Sequence, residues 1–491
     1  MRISNFMRKK IRQFLRIDEA DNARLVILQK LNFYTNAVKN KLWYRGNSEE
    51  LSQLYSQLDV SPTVFWKASC TKGLEIRKLH VGLPKLIVNT LRNIVCHDFN
   101  GVDINKPGAA DKWKEIADFN KFEKLLKRAV KGFLIVGDGA FKLTFDRDIS
   151  ENLPIIEYIS GENIEFVYKR GRVSEVVFLT EYSHDHKTYF FKERYGFGYI
   201  KYELYDSSEK PVQANSIPQT SWVDGEGVTF GKDLMLAVPV IFGESEEYDG
   251  RGESIFEGKD DCFDALDECI SQWLDALRAG RTKEHIPEDL LPRDPNTGRV
   301  LSPNPFDNRF IAIGNDVSEG GHNKIQTDQA NIPHDSYLAT YVTLLDLCLQ
   351  GVMSPSTLGI DTKKLDNSEA QREKEKTTLY TRDNIIDLLS EAIPELVRAA
   401  VLAYVFWNEK EAFEAFEVKT KFGEYANPSF ESQVETVSKA RGGAAILSIE
   451  AGVDELFGSD KDKDWKAEEV KRLKEEQGIL EVPEPAVNAD G

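Results

Sequence analysis

The carboxylates crowded between Glu244 and Glu268 are the first residues with chemical potential. Only Arg251 and Lys259 oppose them. Paired carboxylates that converge on a divalent metal can activate water for phosphodiester cleavage. Here the acids follow a helical spacing instead. Asp260, Asp264, Asp267 and Asp275 are expected along one face of a helix rather than at one point. A metal-dependent nuclease or DNA-processing enzyme that uses this acidic helix therefore stands as the alternative reading.

The other chemical patterns fail on specific residues. "GEGVTFGKD", from Gly225 to Asp233, resembles a phosphate-binding loop, but Glu226 stands where glycine is needed and Asp233 where Ser or Thr is needed. "GDGAFK" from Gly137 lacks a further glycine and reads as a hairpin turn between two apolar runs. Asp460, Asp462 and Asp464 have calcium-loop spacing, yet Trp465 replaces the turn glycine and Lys471 the last carboxylate. His184 and His186 in "SHDHK" could share one side of a strand as metal ligands, with no third ligand in view. Cys262 and Cys269, one heptad apart, read as packing residues. The expectation is no catalytic residue, no bound metal and no cofactor.

The elements that must carry these residues are legible from periodicity. Helical spacing runs through Leu25, Leu28 and Leu31, and "SEELSQLYSQL" opens a further helix. "LPKLIVNTLRNIVCHDF" reads as a helix with Pro84 in its first turn, where proline is tolerated. Residues 155–240 read as antiparallel strands, with hairpins turning at Arg170-Gly171 and near Gly196-Gly198. Phe256, Phe263, Ile270 and Leu277 then recur every seventh residue, which gives the acidic helix one apolar stripe. Gly280 ends it. Residues 284–332 are rich in proline and contain one short strand candidate, "RFIAI". A returning helix follows Pro333, with Leu338, Val342, Leu345, Leu349 and Val352 on a stripe. An insertion of roughly fifty residues between two helices exceeds ordinary connections and reads as functional.

After Gly359 the charged stretch "KKLDNSEAQREKEK" has a capping-box pattern at its start and exposed three-apart ion pairs. From Leu379 the same helix turns amphipathic and then apolar through Trp407. Continuous from Asn367 it would be about 60 Å long, and Pro394 is expected to kink it. A strand, "AFEVKTKFG", and further charged helices complete the chain.

Bulk composition bounds the function. At 491 residues the chain suggests two to four folding units. Hydrophobic content of 41% and charged content of 29% describe an ordered globular protein. Five scattered cysteines without metal-like spacing point to a reduced, intracellular protein. The basic amphipathic start, "MRISNFMRKKIRQFLRI", reads as a surface helix, and no apolar run is long enough to span a bilayer. A formal net charge of -18 argues against a protein built to grip nucleic acid, but not against one past which nucleic acid slides.

Together "LWYRGN", "GLPKLIVNTLRNIVC", "GDGAFKL", "GRGESIFEGKDDCFDALDECISQWLDALRAGRTK" and "KKLDNSEAQREKEKTTLYTRDNII" resemble the portal (head-to-tail connector) proteins of tailed bacteriophages, particularly long-tailed phages of Gram-positive hosts. The resemblance covers nearly the whole chain. It implies an α+β portal fold: a mixed wing over 1–250 and 369–425, a two-helix stem over 251–283 and 333–352, and a small α/β clip over 284–332. A tunnel loop over 353–368 and a helical crown over 426–491 complete it. It also implies a homo-oligomeric ring, usually of twelve copies, at one capsid vertex of the virion, assembled in the host bacterial cytoplasm. Double-stranded DNA would pass through the ring. Terminase, a head-tail adaptor, and the major capsid and scaffolding proteins would be partners, and no membrane would be involved. On this reading Asp260, Asp264, Asp267 and Asp275 face the channel, while Ser356, Thr357, Asp361, Lys363 and Lys364 lie in the loop nearest DNA. A ring-forming scaffold without DNA contact is the third reading.

Overall fold

The apolar run that closes "FEKLLKRAVKGFLIV" organises the main core. It ends the helix Phe122–Val136, and Phe133, Leu134, Ile135 and Val136 are all buried there, so this helix end has no wet face. Gly137 then turns the chain with φ 109°; a Cβ at this position would lie 2.3 Å from the carbonyl oxygen of Gly252. The expected hairpin at Gly137 is therefore a helix-to-strand turn. Periodicity cannot separate a buried helix end from a buried strand, which is why the two runs look alike.

In the computed structural model, the described residues are 31–58, 66–67, 76–225, 227–287, 291, 293–299, 310–313, 326–329, 331–359, 368–408, 415–423, 437–439, 448–457 and 463–478. Helices α1 (Phe33–Arg45), α2 (Ser48–Gln57) and α3 (Leu83–Asp98) come first. Strand β1 (Phe99–Ile104), α4 (Pro107–Asn120) and α5 (Phe122–Val136) follow. Strand β2 (Asp138–Thr144) lies between β3 (Ile155–Ser160) and β10 (Ala237–Ile241), antiparallel to both.

The second sheet is a meander: β4 (Ile164–Lys169), β5 (Arg172–His184), β6 (Lys187–Gly196), β7 (Tyr199–Asp206) and β8 (Pro211–Val212), with β9 (Gly227–Thr229) also on β7. Its turns have the chemistry that tight hairpins need. Arg170 and Gly171 have φ 55° and 75°, and Asp185 and His186 have φ 48° and 59°. Positive φ at both positions matches the right-handed twist of the flanking strands. Thus "SHDHK" is a hairpin tip.

Helix α6 (Asp260–Ala279) leads to a three-stranded sheet of β11 (Lys283–Pro287), β12 (Phe310–Ile313) and β13 (Gln326–Asp328), and α7 (His334–Leu349) returns. Lys259, just before α6, donates to the carbonyls of Leu347 and Gln350 at the far end of α7. At the other end, Gly280 lies against Ile332. The two helices are therefore antiparallel neighbours, with the Trp273 and Tyr337 rings stacked between them. A lysine at the carboxyl end of α7 also suits the helix dipole.

Helix α8 (Ser368–Trp407) is one helix through Pro394. Its later turns bury Ile385, Leu389, Ile393, Leu396, Val397 and Val401 against β10, α3, α4 and β14 (Val418–Phe422), which pairs with β1. Arg382 fastens it there, with Nε on Asp98 at 2.7 Å. Helices α9 (Ile449–Phe457) and α10 (Lys463–Glu476) pack on each other. Among the described strands every pair is antiparallel except β11–β12. Helices and strands are segregated along the chain, which is the α+β class.

Candidate functional site

Residues three or four apart on a helix share one side. On α6 this aligns Asp260, Asp264, Asp267 and Ser271 in a stripe, and the stripe is dry: Asp264 is 4% exposed and Asp267 2%. It docks an irregular stretch that precedes α3. Asp264 accepts the backbone N–H groups of Trp66 at 2.6 Å and Lys67 at 3.2 Å. Asp267 Oδ1 accepts from Val81 N–H at 2.8 Å, and its Oδ2 meets His80 Nδ1 at 2.7 Å and Lys67 Nζ at 3.1 Å. Ser271 Oγ accepts from Leu79 N–H. Asp260 pairs with Lys39 of α1.

The electrostatics follow from that burial. Desolvation pushes the Asp264 carboxyl up to about 6, against the pull of two backbone N–H groups and of Lys67. Burial also raises Asp260, although Lys39 opposes it. Lys67, with no exposed side-chain surface, is held by Asp267 and by the carbonyl of Leu79 at 2.8 Å. A buried ammonium of this kind requires a carboxylate beside it.

The expected acidic face is thereby corrected for three of its four members. Asp260, Asp264 and Asp267 are internal acceptors in this chain and do not form a wet channel face. Asp275, two turns beyond Asp267, is half-buried and has no ion pair among the described residues. The Asp264 and Asp267 oxygens that a nuclease metal would need are occupied by protein donors. Among the described residues no group of three His, Cys, Asp or Glu side chains could hold a metal. Local pattern could not reveal this arrangement, because the donors lie from 186 to 221 residues earlier and include the backbone N–H groups of Trp66, Lys67 and Val81.

The second candidate region is the turn at Pro355–Leu358, between α7 and α8. Ser354 N–H donates to Thr378 Oγ1 at 2.9 Å, and the Thr357 and Thr378 hydroxyls are 2.8 Å apart. Ser356 and Ser354 share a hydroxyl contact at 2.8 Å, and Thr381 Oγ1 donates to the Val352 carbonyl. The hydroxyls of Ser356 and Thr357 thus make contacts within the chain that hold the turn on α8. Gly359, at φ 70°, closes the turn. Asp361, Lys363 and Lys364 lie outside the described residues. Sequence reasoning missed Thr378 and Thr381; the available signal was three threonines within "KTTLYTRD", where the helix turns inward.

No family model matches this chain, and no curated protein matches it. Among solved structures it is similar to a chain from the neck of a native gene transfer agent particle computed with C12 symmetry, at 14% identity and TM-score 0.40, over 77% of this chain and 89% of that one. A chain of the native gene transfer agent virion is similar at 13% identity and TM-score 0.41, over 84% and 91%. A chain from the neck of an empty particle computed with C6 symmetry is similar at 11% identity and TM-score 0.39, over 75% and 90%.

Proposed function

We propose that copies of this chain close into a ring at one capsid vertex and act there as the portal of a tailed-phage-like particle. Double-stranded DNA would pass through the ring during packaging and ejection, with no chemistry performed on it. The observation that carries the reading is the α6–α7 arm with a small sheet at its tip. Leu277, Leu338 and Leu347 on this arm are exposed at 47%, 46% and 43%. Neighbouring copies packed side by side along this helix pair would cover these leucines.

The wall chemistry is reassigned accordingly. Helix α7 has no Lys or Arg and exposes Asp335 and Asp346, and α6 exposes Asp261. These acids, with Asp275, would give the channel the sign that repels phosphate and keeps a duplex mobile. Lys363 and Lys364 keep the proposed role of touching DNA. Terminase and a head-tail adaptor would dock at the tip sheet, and the scaffolding and major capsid proteins at the outer domain. Twelve copies are expected.

End-on electron-microscope class averages of the purified protein test the ring, and a monomer at every concentration overturns it. Neutralising Lys363 and Lys364 should impair DNA packaging while rings persist. Loss of the ring itself would reject that assignment.

A further inference from the structure

A hollow of about 480 Å³ opens between α1, α5 and the β3–β4 corner, and Lys41, Arg45, Lys85, Arg128 and Lys131 line it. In a chain of net charge -18, five cations around one hollow are a marked segregation of charge. Two are matched: Lys41 pairs with Glu162, and Arg45 with Glu50. Lys85, Arg128 and Lys131 form no ion pair with any described residue, although Lys131 lies over the Tyr44 ring. The Ser160 hydroxyl in the same lining is buried without a hydrogen-bond partner among the described residues.

The opposite charge is held in the loop from Gly243 to Gly258, where Glu244, Glu246, Asp249 and Glu253 form no ion pair with any described residue. Its arginine is turned inward. Arg251 grips Asp138 with two bonds of 2.8 and 2.7 Å and donates to the carbonyls of Gly161 and Ile164. Tyr248 is buried with its ring against Phe33, and Ser245 N–H donates to the Arg251 carbonyl. The loop is thus fixed from beneath, and Glu244, Glu246, Asp249 and Glu253 are exposed along it. Burial first, and then repulsion from Glu253, raises the Glu257 carboxyl. A rigid presentation of this kind lowers the entropy cost of docking.

Helix α1 separates the two patches. Lys39 faces Asp260 beside the acidic loop, and Lys41 faces Glu162 in the cationic hollow. Two residues on a helix are about 200° apart at roughly 100° per residue, so Lys39 and Lys41 leave α1 in nearly opposite directions. Both patches border the β3–β4 corner: Arg251 of the loop binds its Gly161 and Ile164 carbonyls, while Ser160, Glu162 and Asn163 line the hollow. Distinct complementary patches on one chain make a head-to-tail contact, and head-to-tail contacts close rings or run on as filaments.

We propose that the hollow lined by Lys85, Arg128 and Lys131 receives the Glu244–Glu253 loop of the next copy of this chain. The contact rests on the ring reading and supplies its handedness: each copy gives its loop to one neighbour and takes the loop of the other. Charge complementarity would set register and speed of assembly.

Charge exchange within one chain tests it. Lys85→Glu with Arg128→Glu should cut the ring fraction at least tenfold, and so should Glu244→Lys with Glu246→Lys. All four together should restore rings, because every interface again holds opposite signs. These positions are exposed, and thermal melts of each variant should match the wild type. Should the reversed lysine and arginine unfold the chain, Lys85→Gln with Arg128→Gln must still weaken rings. If wild-type protein forms no ring, the ring reading fails. If both two-site variants form rings at the wild-type level, this contact is wrong and the ring reading stands. Disruption without rescue by the four-site variant also overturns the contact. So do intact rings that lose only double-stranded DNA retention, which would assign the hollow to a phosphate backbone.

Discussion

The two halves of α6 behave oppositely. In the first half Phe263, Leu266, Asp264 and Asp267 are all buried, and each acid is satisfied by donors of the same chain. In the second half Leu277 is 47% exposed, Asp275 is half-buried, and the facing helix also leaves Leu338 bare. The same apolar repeat runs through both. Periodicity therefore states which side of a helix is able to be covered, while the neighbourhood decides whether this chain does the covering.

The largest expected effect breaks the first half. Asp267→Ala leaves the buried Lys67 ammonium without a carboxylate, with only the Leu79 carbonyl and the Ser48 hydroxyl beside it, and chemical denaturation should show a loss of about 3–5 kcal/mol. Asp275→Ala, eight residues on, should stay within about 0.5 kcal/mol. Phe263→Ala comes next, at about 3–5 kcal/mol for an emptied core site. Leu277→Ala should leave the monomer's unfolding midpoint unchanged and reduce ring assembly, as read by mass measurement.

Thr378→Val removes the acceptor of Ser354 N–H and should cost about 1–3 kcal/mol, visible in a thermal melt. The last effect is a pH slope. The Asp264 carboxyl is raised from 3.8 to about 6 in the folded chain, so the folded state holds this proton more tightly than the unfolded state. Its contribution to stability is fully present below pH 3.8 and is lost as pH rises through about 6. Urea midpoints between pH 4 and 7 should therefore fall less steeply in Asp264→Asn than in wild type.

Elements held by local rules were legible in the sequence. The Arg170-Gly171 hairpin needs positive φ at two adjacent positions, and few residue pairs adopt it readily. The helix from Leu83 declares its start with Gly82 and Pro84. The long helix from Ser368 to Trp407 follows from its sustained pattern. Elements that depend on burial from elsewhere were not legible. Around Gly137, an apolar run read as a strand is the end of α5, because burial on every side erases the helical stripe. The carboxylates of α6 read as wet, because their partners include backbone N–H groups that no side-chain pattern marks. Of the four acids expected on one face, Asp275 was left without such partners among the described residues.

The sequence by itself determined the α+β class, the hairpin turns, the two helices that bracket a proline-rich excursion, and a strongly acidic balance. Each of these depends on residues close together in the chain or on composition alone. The tertiary structure alone decided which acids are internal acceptors, which cations share a hollow, and which leucines stay bare. Those outcomes depend on residues up to about two hundred positions apart, and desolvation acts on whatever the fold brings near, whatever its distance along the chain.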